Sequence, residues 1–384
     1  MKIIINLPTL NKKGILIPWL YKWKEYQCDN NSLDIYRSGK IYNLLPIINP
    51  YTYSQNRFFK KLPQAPNSKL SFMLYSLCQN LKLITHIKEV AKNNYNVVIS
   101  PSAVLDLVIC AYILKLIRPN IIWTVTFDNV VPISDSGNKV IRLLAWFFFK
   151  ISEKLIRRAD IVFAVSDDLV KYLYRHNFSK KQVVRVTNGI ENELIKKAKK
   201  GKKYNIDALF VGRINETKGI YDMLKALEIV RKKYPHFQLA IMGKGDIATE
   251  KKYKKEVKKR DLQNNIQFLG YKTGLEKFNI FKSSKCFWFL SKSKSESFGM
   301  ALLEAVCCGL PAFAYNLESY REIYKNNEVM VFEIGDYQSV AQKVIDIFSK
   351  KQFHNEKGKA LIDKYSWEKI AQIELAAIKS LQKI

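Results

Sequence analysis

At 384 residues the chain exceeds the size at which one hydrophobic core usually stops growing, so two domains are expected. Hydrophobic residues make up 48% of it, enough for two buried cores, which excludes a largely disordered chain. Lys and Arg number 64 against 34 Asp and Glu; the resulting +30 points to nucleic acid, an anionic membrane surface or phosphorylated substrates, unless it is only a Lys-rich compositional habit.

In chain order, Met1 to Asn6 reads as a first strand rather than a signal peptide, because its apolar stretch is too short. β-Branched runs predict strands over 3–7, 96–100, 121–127, 161–165 and 183–186. Residues 28–67, rich in Asn and Tyr and broken by Pro46, Pro50, Pro63 and Pro66, predict a weak strand or two and a long loop. The segment Lys139 to Lys150, leading into Lys154, Arg157 and Arg158, has the composition of an interfacial helix, although a helix there would also pack on a sheet. Its most apolar part, Leu143 to Phe149, is far too short to cross a bilayer.

A second series of strands is expected over 208–211, 238–242, 266–269, 286–290 and 311–315. Continuous apolar strands alternating with helical stretches indicate parallel sheets covered on both faces, hence an α/β, doubly wound fold. The Lys-rich stretch 193–203 is the expected linker between an N-terminal domain (1–192) and a C-terminal domain (204–365). Residues 366–384 predict a helix packing back towards the N-terminal domain. Six cysteines without a C-x-x-C spacing, and four scattered histidines, argue against a zinc site. The apolar flanks of Cys110 and Cys286 suggest buried, reduced thiols.

The most informative stretch runs from Ser295 to Pro311 (SESFGMALLEAVCCGLP). A strand precedes it and a helical pattern starts at Met300, so Glu296 falls in a strand-to-helix loop and Glu304 about one turn into the helix. Loops at the C-terminal ends of parallel strands are where such sheets bind ligands. The amides around Phe298, Gly299 and Met300 are helix N-terminal donors suited to a diphosphate. Alone, Glu304 would pass for an exposed helix residue and Glu296 for a capping aid.

Together, Glu296 and Glu304 with the Phe-Gly and Gly-x-Pro around them resemble the Glu-x7-Glu signature of the retaining glycosyltransferases of family 4 (glycosyltransferase group 1). The resemblance implies a GT-B fold, two Rossmann-like domains facing a cleft. It also implies that Glu296 contacts the donor sugar hydroxyls and Glu304 the ribose hydroxyls. Upstream, Gly212-Arg213-Ile214-Asn215-Glu216-Thr217-Lys218-Gly219 resembles the Gly-Arg-x(4)-Lys-Gly element of the same family, in which the two cations neutralise the leaving diphosphate. Gly243, in Met242-Gly243-Lys244-Gly245, and Tyr271, after Phe268-Leu269-Gly270, match strand ends that border the nucleotide. The first-strand loop, Thr9 to Gly14, has one glycine where relatives often have two. Near Thr126-Phe127-Asp128 relatives often carry His-Asp; Phe127 stands in the His place, leaving Asp128 as the candidate there, or as a loop-capping carboxylate.

The expected function is therefore transfer of a sugar from a nucleotide-sugar donor, UDP-sugar before GDP-sugar, to a glycan or lipid-linked glycan. Catalytic roles fall to Glu296, Arg213 and Lys218, with Asp128 added. Nucleotide-sugar binding falls to Gly212, Arg213, Lys218, Gly243, Tyr271, Glu296, Phe298, Gly299, Met300 and Glu304. No Asp-x-Asp occurs, so no metal or other cofactor is expected. Cell-surface polysaccharide or glycolipid assembly in the cytoplasm is the expected setting, with an anionic membrane surface as a further partner and no nucleic acid. The competing readings are a nucleotide-sugar epimerase or phosphorylase of the same architecture, a catalytically silent binding subunit, and a basic nucleic-acid binder, which lacks a basic helix, an aromatic RNA-binding signature or a zinc module.

Overall fold

The computed structural model describes residues 1–7, 22–26, 31–37, 40–43, 69–131, 139–201, 204–293, 296, 298–320 and 323–382. The first-strand loop 9–14 and most of the expected loop within 28–67 lie outside these. The chain divides into two compact units, Met1–Gly189 with Ser366–Ile384, and Ile190–Tyr365.

In the first unit the strands are β1 (Lys2–Asn6), β2 (Ser32–Arg37), β3 (Lys40–Asn43), β4 (Val97–Ser100), β5 (Ile122–Phe127), β6 (Ile161–Ala164) and β7 (Val183–Arg185). Among the described residues they form one sheet in the order β3-β2-β1-β4-β5-β6-β7. Every neighbouring pair is parallel except the β2–β3 hairpin. The register sets Ile4 beside Val98, and Ile99 beside Thr124. Both faces are covered, so β4, β5 and β6 are buried along their whole length and are mostly apolar, broken only by Ser100, Thr124 and Thr126.

Helices α1 (Lys69–Thr85), α2 (Ile87–Lys92), α3 (Leu105–Ile117), α4 (Lys139–Leu155) and α5 (Asp167–Arg175) connect these strands. Ser166 caps α5, its hydroxyl accepting from the Leu169 amide at 3.3 Å. The inner face of α4 is anchored by Phe149, whose ring lies 6.1 Å from that of Phe127, and by Ser152, whose Oγ donates to the Ala103 carbonyl at 2.6 Å.

The second unit opens on α6 (Asn192–Lys197), which overlaps the expected linker and buries Leu194 and Ile195. Strands β8 (Ile206–Val211), β9 (Leu239–Met242), β10 (Ile266–Gly270), β11 (Ser284–Phe289), β12 (Ala312–Tyr315) and β13 (Met330–Phe332) follow. Their order is β10-β9-β8-β11-β12-β13, parallel throughout. Helices α7 (Ile220–Lys233), α8 (Ile247–Lys259), α9 (Gly274–Lys282), α10 (Met300–Cys307), α11 (Tyr337–Ser349) and α12 (Glu356–Lys359) connect them. Phe210, Trp288, Leu224 and Leu227 are fully buried in its core.

The last helix, α13 (Trp367–Gln382), belongs to the first unit. Ala371, Leu375 and Ile378 enter that unit's core, and the buried Glu374 takes the Lys22 ammonium at 3.0 Å and accepts from the Tyr26 hydroxyl. Cys110 and Cys286 are free and buried, and burial pushes the Cys110 thiol up to about 12. The expected class, α/β with two Rossmann-like sheets, is what the chain adopts; β2 and β3 are weak strands of the kind expected within 28–67, and β13 lay outside the strand pattern read from sequence.

Candidate functional site

The strand order sets the C-terminal ends of β9, β8 and β11 side by side, with β10 beyond β9. Connections leaving that edge form a concave rim in sheets of this kind. Backbone bonds draw the strand ends together: the Gly212 amide donates to the Met242 carbonyl at 3.1 Å, and the Gly243 amide to the Gly270 carbonyl at 2.9 Å. Gly243 has φ +154, and a Cβ there would run into the Gly212 carbonyl oxygen, so this approach needs glycine.

After Gly212 the chain places Arg213 in solvent, without a hydrogen-bond or ion-pair partner among the described residues. Asn215 then caps the short turn Glu216–Lys218, its Oδ1 accepting from the Thr217 amide at 2.9 Å. The turn aims Lys218 back at the rim. Its ammonium pairs with the Glu296 carboxylate, both side chains being largely buried, and lies 5.7 Å from the Phe289 ring centre. Glu296 is itself held in place: Ser291 Oγ donates to its Oε2 at 3.3 Å, and Ser319 Oγ to its backbone carbonyl at 2.7 Å.

Immediately beyond Glu296, Gly299 begins α10 in the left-handed region, φ +66, with the Tyr320 ring 2.9 Å from where a Cβ would sit. Phe298 is buried edge-on to Tyr365, with ring centres 5.9 Å apart, and Met300 is half-buried. Among the described residues no backbone carbonyl accepts from the amides of Phe298, Gly299 or Met300. They are the donors that the start of a helix leaves for a ligand.

Glu304, one turn further on, is buried at 7% exposure, and its Oε1 lies 2.5 Å from Lys277 Nζ on α9. Burial alone would lower the Lys277 pKa; the Glu304 and Glu191 carboxylates outweigh it, and the net direction is upward. Tyr271, about half exposed, adjoins this cluster: burial raises its hydroxyl pKa, Lys277 opposes, and Glu191 and Glu304 add to the rise.

The rim thus brings together an unpartnered guanidinium, a row of helix-start amides and two carboxylates each tied to a lysine. Arg213, Lys218, Gly212, Gly243, Tyr271, Glu296, Phe298, Gly299, Met300 and Glu304 all stand on loops or helix starts at this edge. Asp128 stands instead in the first unit, at the end of β5. There Ser102 Oγ donates to its Oδ1 at 2.9 Å. Burial raises its pKa against the opposing pull of that bond, local amides and Lys22. Its neighbour Phe127 is buried in a ring stack with Phe149 and Tyr172, centres 6.1 and 5.8 Å away, so that position holds packing and no proton carrier.

Sequence reasoning passed over Lys277, Ser291 and Ser319, and also the buried Asp222, which takes the Tyr315 hydroxyl at 2.7 Å and Lys292 Nζ at 2.6 Å. With the Lys292 amide donating to the Thr217 carbonyl at 2.8 Å, that cluster fastens the loop of Lys218 to the loop of Glu296. No local pattern marks these residues, because their partners are distant in sequence. Among the described residues no group of three or more His, Cys, Asp or Glu could hold a metal ion.

Over 235 residues the chain is 26% identical to a phosphatidyl-myo-inositol mannosyltransferase of Propionibacterium freudenreichii, a match covering 58% of this chain and 57% of that protein. The chain thus spans a little over half the length of that relative. It is 23% identical over 321 residues, 79% of each chain, to an N-acetyl-alpha-D-glucosaminyl L-malate synthase of Bacillus anthracis. In fold it resembles HepE of Anabaena, solved with UDP and glucose, at a TM-score of 0.73 and 14% identity, covering 99% of this chain and all of that one. A glycosyltransferase of Rickettsia africae gives a TM-score of 0.72 at 18% identity, covering 100% of this chain and 98% of its own. These neighbours carry the GT-B fold expected from the motifs. Residues 191–364, which span the whole rim just described, match the glycosyl transferases group 1.

Proposed function

We propose that the chain moves a sugar from a nucleotide-sugar donor to an acceptor with retention of anomeric configuration, as a family 4 glycosyltransferase whose second unit holds the donor. The observation that carries this reading is the Lys218–Glu296 pair, set beside the start of α10 on the same sheet edge as Arg213. Breaking a glycosyl–phosphate bond develops positive charge on the sugar and negative charge on the departing diphosphate. Arg213, Lys218 and the amides of Phe298, Gly299 and Met300 supply positive charge for the diphosphate. In this reading, Lys218 turns from Glu296 to the diphosphate when the donor enters, leaving the Glu296 carboxylate to accept from the sugar hydroxyls. Glu304, steadied by Lys277, accepts from the ribose hydroxyls, and Tyr271 and Gly243 border the base.

As the glycosyl–phosphate bond breaks, the acceptor oxygen bonds the anomeric carbon from the same face, and its proton passes to the leaving diphosphate oxygen. Cations and amides already meet the diphosphate charge, so the reading needs no resident metal. A UDP-sugar is the first choice of donor, supported by the UDP and glucose in HepE, and a GDP-sugar the second. A glycan or lipid-linked glycan is the proposed acceptor, supported by the mannosyltransferase's name, and cell-surface glycan or glycolipid assembly in the cytoplasm the proposed setting. The test is a binding screen of UDP-, GDP- and ADP-sugars with mass analysis of products. Saturable binding of one donor, with its free nucleoside diphosphate as product, is expected. Failure to bind any of them, or isomerisation of the donor without loss of its sugar, would overturn the reading.

A further inference from the structure

The outer side of the first unit carries apolar surface that its core does not use. On α4, Val140, Leu143, Leu144 and Phe147 are exposed by 67%, 56%, 40% and 53%. Their spacing of three, four and seven residues makes one solvent-facing stripe, on a helix whose opposite side is already anchored through Phe149 and Ser152. On α1, Leu74, Leu77 and Leu81, at 57%, 57% and 53%, repeat the arrangement. Both helices pack against α3, and α3 and α4 lie on crossovers between parallel strands that run in the same direction. With the single hand of such crossovers α3 and α4 share one face of the sheet, and α1, packed against α3, lies on that face too. Single exposed leucines are ordinary; two ordered stripes on the helices that flank α3 mark an interaction surface.

Charge selects the partner. Lys82, Lys88 and Lys92, and Lys154, Arg157 and Arg158, are exposed at and just beyond the C-terminal ends of α1 and α4. Of the carboxylates among the described residues of α1, α2, α3 and α4, Glu89 is exposed, Asp106 is half-buried, and Glu153 is buried and paired with Lys150 at 2.8 Å. A second copy of the chain would bring a further +30 to this face, whereas an anionic lipid surface offsets the charge and accepts the apolar side chains. Among the described residues no helix is long and apolar enough to cross a membrane, so the contact is one of lying on the surface.

We propose that α1 and α4 form a docking face for an anionic lipid bilayer, with the leucine and phenylalanine stripes entering the headgroup layer and the cations at the helix ends meeting lipid phosphates. The proposal stands apart from the donor reading, because it concerns the first unit and is tested without turnover. The full chain is mixed with vesicles of phosphatidylcholine alone, or with three parts in ten phosphatidylglycerol, and vesicle-bound protein is measured by flotation across a salt series. The wild type should float with the anionic vesicles, stay behind with the neutral ones, and be released as salt rises. L143E/F147E and L77E/L81E should each lower the partition coefficient about tenfold or more. These side chains are exposed, so thermal melting should stay within a degree or two of the wild type. K154E/R157E should weaken attachment at low salt and converge with the wild type at high salt. No flotation with anionic vesicles, or unchanged flotation of L143E/F147E, would overturn the proposal. So would a wild-type dimer that L143E/F147E turns into a monomer, because the stripes would then belong to a second copy.

Discussion

The two sheets share an architecture but present different chemistry where their strands end. In the second unit the rim is densely charged and cross-tied: Lys218 to Glu296, Lys277 to Glu304, and Lys292 to Asp222. In the first unit, the end of β5 carries one carboxylate, Asp128, supported by Ser102, next to a stack of aromatic rings. A parallel sheet supplies the same scaffold in both cases, so the difference lies in the loops. The second unit has the groups needed to hold an anion with hydroxyls attached. The first has a half-buried carboxylate and, on its outer helices, apolar surface.

The largest effects should come from the cations of the second unit. Lys218→Ala should lower kcat by about 100-fold or more, because it removes charge that counts for more as the diphosphate departs than when the donor first binds. Arg213→Ala should cost less, about tenfold, since an exposed guanidinium is better screened by water. Steady-state kinetics with the donor found in the binding screen provide the check. An Asp128→Asn loss as large as that of Lys218→Ala would break the division of roles between the units.

Next come the carboxylate of Glu304 and the lysine that steadies it. Glu304→Ala should weaken donor binding by about 1.5–3 kcal/mol, the range for hydrogen bonds to a charged group. Lys277 is a positioning residue in this reading. Lys277→Met should raise the donor KM with little change in kcat, and Lys277→Arg should restore most of the loss. A merely structural role would lower the amount of folded protein and leave KM alone.

The same pair carries a pH signature. The folded pKa of Lys277 lies above its unfolded value, so its stabilising contribution is fully present below the ordinary lysine range near 10.4. It is lost only as pH rises through the folded pKa. The melting-temperature gap between wild type and Lys277→Met should therefore be flat from pH 7 to 9 and narrow above roughly pH 10.5. A gap that narrowed below pH 9 would show that Glu304 and Lys277 do not form the pair in solution.

The parts of this design differ in how far the sequence discloses them. Strands such as Ile161–Ala164 and Ala312–Tyr315 are legible because burial on both faces demands uninterrupted apolar residues. The rim is legible where its groups are neighbours in the chain: Arg213 and Lys218 share one loop, and Glu296, Gly299 and Glu304 one loop and helix. Lys277 is not, because its partner is reached only after the intervening strand β11 has folded. Ser319 and Asp222 are hidden for the same reason. The hairpin β2–β3 sits in an Asn- and Tyr-rich stretch without a continuous apolar run, and β13 has only three residues. For α4 the composition announced an amphipathic helix, but apolar residues around the whole circumference do not say which of them face the sheet. The exposures of Leu143 and Phe147 decide that.

The smallest expected effect tests whether Asp128 is kept for function or for the fold. Burial raises its pKa, outweighing the hydrogen bonds that favour the charged form. A carboxyl whose folded pKa lies above its unfolded value stabilises the fold fully only below the unfolded pKa, near 3.9, and loses that contribution as pH rises through the folded pKa. Above the folded pKa the charge at Asp128 therefore works against stability. Asp128→Asn keeps an oxygen that can accept from Ser102 and removes the charge, so it should raise the melting temperature at pH 7 by about 1–3 °C. The gain should disappear below about pH 4, where the wild-type carboxyl is protonated as well. If Asp128→Asn also slows transfer, the first unit bears a stability cost at β5 for the sake of the reaction. A lower melting temperature at pH 7 would instead make Asp128 a loop-capping carboxylate, and the reaction would rest on the second unit's residues alone.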